Sequence, residues 1–170
     1  NVSNLLKRIN ELKINNRLDK IENGASGLWI PNKDLIVIDY RVIEMGSPTF
    51  LDILRHEVIH VAQSCFSSSR KNFPKRIGLP LEFSKNIDLN LSHNVYSKNP
   101  EEVMNIEREA FTYSKVDGAA IKLLNKFCKW FYGIFRYLNI LFLSGKGSSP
   151  DELLFDREIF ISVLTFILSF

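Results

Sequence analysis

Cysteine is scarce in this chain. Two residues in 170, Cys65 and Cys128, are too few for a disulfide framework, so the fold has to rest on a packed core. The expectation is that both thiols are reduced and buried, with a single bridge only in an oxidising compartment. Excess charge is also missing. Lys and Arg number 22 against 19 Asp and Glu, a net charge of +3, which provides no electrostatic basis for binding nucleic acid. The densest basic stretch, Ser69–Arg76, has only Phe73 as an aromatic neighbour and reads as a solvated loop bordering a cleft. No apolar run is long enough to span a bilayer, which takes about 20 residues; the last run, Ile159 to Phe170, is 12. No internal repeat is present. The chain starts at Asn1 without Met, which reads as a fragment or a processed form.

What is there suits one domain with a sizeable core: 45% hydrophobic and 24% charged residues over a length typical of a single domain. Val2 to Leu12 places Leu5, Leu6, Ile9 and Leu12 on one side of an amphipathic helix. Residues 23–27 form a loop. Leu28–Pro31 and Leu35–Val42 read as two strands joined through Asn32-Lys33-Asp34, and Leu35-Ile-Val-Ile-Asp-Tyr40 is the strongest strand signal in the chain. Residues from about Cys65 to Lys98 are polar with scattered Pro, Gly, Ser and Asn, a length that points to a functional lid or mobile loop. The fold class is therefore α+β. A domain over 1–125 is followed by an apolar helical extension over 126–170.

Histidine is the third scarce residue, and its placement is the most informative feature. Of three histidines, two fall in His56-Glu57-Val58-Ile59-His60. This is H-E-x-x-H, in which a helix puts both imidazoles on one face, within reach of one zinc ion. Glu57 between them is placed to take a proton from an attacking water. The flanks predict one helix from Phe50 to about Gln63, with Leu51, Leu54, Val58, Val61 and Ala62 apolar. Ser47-Pro48-Thr49 provides hydroxyl caps and a helix-entry proline, and Asp52 stands three after Thr49 as in a capping box. Cys65, five residues after His60, lies off the ligand face.

A catalytic zinc takes a third protein ligand. The extension H-x-x-G-x-x-H is absent, because position 63 is Gln and position 66 is Phe. The downstream candidates are His93, Glu101, Glu102, Glu107 and Glu109. Asn99-Pro100-Glu101-Glu102 opens a second helix running to at least Asp117. Within it Glu107 has Val103, Met104, Ala110 and Phe111 at helical neighbour positions, so it lies in the apolar stripe, where a carboxylate needs a partner such as a metal or Arg55. Glu109 has the more polar neighbours Asn105, Ile106, Thr112 and Tyr113. Glu107 ranks first, ahead of Glu109 and His93. Ala110 would let this helix approach the histidine helix closely.

Arg55-His-Glu-Val-Ile-His-Val-Ala-Gln63, followed by Ile106-Glu-Arg-Glu-Ala110, resembles the gluzincin branch of the zincin metallopeptidases over about residues 25–125. The resemblance implies a small zincin-like fold, with zinc held by His56, His60 and Glu107 and with Glu57 as general base. It implies a strand ahead of the metal helix whose free edge pairs with an extended substrate, and a peptide or protein as that substrate. The E-x-x-x-D form of larger gluzincins is missing, since position 111 is Phe. The group that orients a histidine therefore comes from elsewhere, Asp52 or a backbone carbonyl being candidates. His93, Tyr96 and Tyr113 are candidate transition-state donors.

Two other readings stand beside the peptidase. One is a non-catalytic zinc-binding interaction scaffold, against which the base at Glu57 speaks. The other is a membrane-associated module. Ala119–Leu143 mixes Phe127, Trp130, Phe131, Tyr132, Phe135, Tyr137 and Phe142 with Lys126, Lys129 and Arg136, a composition suited to weak membrane-surface contact. No nucleic-acid partner is expected. A cytoplasmic location is favoured, with a membrane-peripheral one as the alternative.

Overall fold

The computed structural model describes residues 2–22, 24–93, 96 and 98–128. The expected C-terminal extension and its membrane contact lie, beyond Cys128, outside the described residues. Among these there are five α-helices and one three-stranded sheet, an α+β architecture. No helix among them is long and apolar enough to cross a membrane.

Helix α1, Val2–Glu11, buries Leu5 and Ile9, as its periodicity predicts. Strands β1 (Asn15–Asp19), β2 (Gly27–Ile30) and β3 (Leu35–Asp39) form a sheet of order β1-β3-β2. Strand β3 is central, parallel to β1 and antiparallel to β2. Its run from Ile36 to Asp39 is buried, which accounts for an apolar stretch without alternation. The β2–β3 connection is a single 3-10 turn, Pro31–Lys33, closed by Asp34 at φ 49°. Asp34 is pinned by Arg70 at 2.6 Å, and Arg70 also donates to the Leu12 carbonyl. Strand β1 escaped the sequence reading because all five of its residues are exposed, so it carries no apolar alternation to detect.

Helix α2, Ser47–Phe66, runs through the centre and packs against β2, β3, α4 (Glu101–Ser114) and α5 (Ala119–Phe127). It begins earlier than expected. Gly46 at φ 94° precedes it, Pro48 occupies the first turn, and no side chain caps the start. The expected capping role of Asp52 is corrected: its carboxylate pairs with Lys115 of the loop after α4 at 2.6 Å. The short helix α3, Lys85–Leu91, interrupts the stretch read as a loop, and buries Ile87 and Leu91. Helix α4 stops at Ser114 rather than Asp117. Gly118, at φ 73°, then turns the chain into α5.

The cysteines are a second correction. Cys65 and Cys128 are bonded, tying the end of α2 to the residue after α5. Linking residues 63 apart stabilises the fold by about 4 kcal/mol on a chain-entropy estimate. Both sulfurs lie at helix ends that pack together, a proximity that residue spacing does not reveal.

Candidate metal centre

Helices α2 and α4 pack against each other, and Ala110 of α4 is fully buried. One face of α2 presents His56 and His60, and α4 presents Glu107. His56 Nε2 lies 3.0 Å from His60 Nε2 and 3.2 Å from Glu107 Oε2, and His60 Nε2 lies 3.3 Å from the same oxygen. These are the only His, Cys, Asp and Glu side chains among the described residues that group closely enough to share an ion. Three donors bonded tetrahedrally to zinc at about 2.0–2.2 Å stand roughly 3.3–3.6 Å apart, so the trio fits zinc within a few tenths of an ångström. The donor set itself, two imidazoles and a carboxylate, is one that zinc accepts.

Other candidates are placed elsewhere. His93 is exposed at the cleft wall, outside the trio. Glu101 and Glu102 lie exposed in the first turn of α4. Glu109 points away from the histidines. Its carboxylate accepts from the backbone N–H groups of Ile77, Gly78 and Leu79 at 2.9–3.0 Å and from Gln63 Nε2 at 2.9 Å. The burial expected for the two glutamates is reversed: Glu109 is fully buried, whereas the Glu107 side chain is 17% exposed. The loop over residues 77–79 covers the Glu109 face, and helical neighbours alone cannot reveal that cover. Arg55, the alternative partner of Glu107, pairs with Asp117 instead.

The Glu57 carboxyl is buried against Gly27 of β2. A Cβ at position 27 would come within 2.6 Å of Glu57 Oε1, so only glycine permits the approach. Burial pushes this carboxyl up to about 7, against the opposing pull of His60 and the Trp29 backbone N–H that donates to it. Burial also draws His56 down. For His60 burial acts in the same direction, but Glu107 and Glu57 outweigh it and raise the imidazole to about 9. Glu107 is held well below the usual carboxylate range: burial alone would raise it, and the two imidazoles prevail.

Around the trio, His60 Nδ1 meets Gln63 Oε1 at 2.7 Å, whereas His56 Nδ1 is buried with no hydrogen-bond partner. The His56 ring lies against Phe111, centroids 4.3 Å apart, and Phe111 in turn meets Tyr96 edge-on. Trp29 Nε1 donates to Ser64 Oγ and fastens β2 to α2. His56 and Glu57 open into a cleft of about 780 Å³, walled by residues 24–27, by α3 and the turn after it, and by Phe111 and Lys115. Tyr96 lines this cleft and Tyr113 does not; burial and the Glu107 and Glu57 carboxylates push the Tyr96 hydroxyl upward. Asp52 also lines it, without bonding either histidine. Sequence reasoning missed Gln63, Gly27 and Trp29. A glutamine three residues after His60 on the same helix was the one signal available.

No protein family, curated protein or solved structure matches the chain.

Proposed function

We propose that this protein is a zinc-dependent metallopeptidase of the gluzincin type with a zincin-like fold. His56, His60 and Glu107 hold the metal. The observation that carries the reading is the convergence of their three donor atoms beside Glu57, at a cleft large enough for an extended peptide segment. Zinc bound there supplies a Lewis acid that polarises the scissile carbonyl and acidifies water. Glu57 accepts the proton of the attacking water and delivers it to the leaving amine. Its burial beside the proposed ligands His56 and His60 places the carboxylate next to where the metal would sit. Gly27 leaves room for that carboxylate against the strand, and Phe111 and Tyr96 line the cleft into which His56 and Glu57 open. The substrate is a peptide or protein.

Elemental analysis of purified wild type beside His60→Ala tests the metal. About one zinc per chain, lost in the variant, is the expected result, and no zinc in the wild type after zinc is supplied overturns the proposal. Incubation with a mixed peptide library, read by mass spectrometry against Glu57→Gln, tests the reaction. Location is settled by a different readout. Thiol trapping of the protein taken directly from its cell reports free cysteines for a cytoplasmic protein and the Cys65–Cys128 bridge for one in an oxidising compartment.

A further inference from the structure

Glu109 is a fully buried carboxylate that the proposed chemistry does not use. Its contacts trace back to the metal trio through one side chain, Gln63, itself fully buried. Gln63 Nε2 faces two acceptors, the Ile106 carbonyl at 3.1 Å and Glu109 Oε2 at 2.9 Å. An amide NH2 donates and an amide oxygen accepts. Turning the Gln63 amide over would set its oxygen against two acceptors, with no hydrogen in either contact and repulsion between the oxygens in a closed interior. The amide therefore has one orientation, with Oε1 toward His60 Nδ1 at 2.7 Å. An oxygen in that place only accepts, so Nδ1 carries the hydrogen. A neutral imidazole protonated at Nδ1 has its lone pair on Nε2, the atom that faces His56 and Glu107.

Glu109 is locked in turn. Oε1 accepts from Gly78 and Leu79, and Oε2 from Ile77 and Gln63. Three successive backbone N–H groups converge on one carboxylate with Gly78 at φ 91°, a conformation open to glycine, and a Cβ there would meet nothing within 4 Å. The need for glycine is one of backbone geometry rather than space. His56 has no counterpart to this chain of contacts, its Nδ1 being unpartnered.

We infer that Gln63 and Glu109 are positioning residues for the metal centre: anchored by the 77–79 loop, they hold His60 as the Nδ1–H tautomer and so commit its Nε2 to the ion. The inference rests on the metal-centre reading above. It assigns the ligand-orienting role to a glutamine on the histidine helix itself and to the second glutamate of the Glu107-Arg108-Glu109 sequence.

Two variants and two readouts test it. Gln63→Met keeps the bulk and removes every hydrogen bond. Glu109→Gln keeps the shape but adds a donor facing Gln63, which permits the amide to turn. Zinc affinity is measured by competition with a chromophoric chelator. The tautomer is read from long-range 1H–15N histidine spectra of metal-free protein, with the pH raised until the His60 imidazole is neutral. The wild type should show Nδ1–H at His60. Gln63→Met should bind zinc roughly 10- to 100-fold more weakly and show mixed tautomers. Glu109→Gln should move both readouts in the same direction by less. Nε2–H at His60 in the wild type overturns the inference even if neither variant folds. So does a folded Gln63→Met with wild-type zinc affinity. A wild type with the Nδ1–H tautomer and no zinc uptake supports the hydrogen-bond relay and sinks the metallopeptidase reading alone.

Discussion

The two halves of α2 are held in place by different forces. From Ser47 to Ile53 the helix is exposed or half-buried, and charges at the surface tether it: Asp52 to Lys115, and Arg55, just beyond, to Asp117. From His56 to Cys65 every residue is buried, enclosed by the sheet, α4 and α5. Polar side chains persist in the enclosed half, and nearly every one of their polar atoms meets a partner: the histidines with Glu107, Gln63 with His60 and Glu109, Ser64 with Trp29. A helix buried all round cannot display an amphipathic stripe. What marks its chemistry is that each polar group kept inside has a reason to be there.

Substitutions in the two halves should therefore differ in kind and size. The largest effect is expected at Glu57. Glu57→Gln should leave zinc content unchanged and lower peptide hydrolysis by about 10²- to 10⁴-fold, measured as kcat/KM on a cleaved peptide; retained activity would remove the base from the mechanism. Next comes Ile59→Ala, on the fully buried side, with a loss of about 2–5 kcal/mol in urea unfolding because a cavity replaces the side chain. Gly27→Ala comes third. Its Cβ would overlap Glu57 Oε1 and Ile53, costing about 1–3 kcal/mol and displacing the carboxylate, so activity should fall further than stability explains. The smallest change belongs to the exposed half: Lys115→Ala should cost under about 1 kcal/mol, and less still in high salt. A loss at Lys115 as large as that at Ile59 would erase the distinction between the halves.

The legibility of this molecule follows the range of its interactions. Helix α1, the β2–β3 hairpin and α2 were readable because their signals are local: apolar spacing, turn residues and a four-residue histidine repeat. Strand β3 nonetheless ends at Asp39, not Val42, because the Asp39 side chain accepts from the Arg41 N–H and starts a 3-10 turn over Tyr40–Ile43. Glu107 was reachable through its apolar helical neighbours, although its burial was overestimated. Strand β1 was not readable, being wholly exposed, and α3 was hidden in a polar stretch. The Asp52 capping expectation failed because a residue 63 positions away, Lys115, competes for the same carboxylate. The cysteine expectation failed for a similar reason, as the partners meet only once α5 packs on α2.

By itself the sequence determined the α+β class, the shared face of His56 and His60, and the placement of Glu57 between them, since each depends on the helix repeat or on strand-forming runs over a few residues. The tertiary structure alone decided which of two glutamates two residues apart meets the histidines and which meets a loop. It also decided that Gln63 orients His60, that Gly27 admits the Glu57 carboxylate, and that Cys65 reaches Cys128. Each of these pairs joins different elements or depends on a neighbour that covers one side, and the packing of helices and loops supplies that geometry.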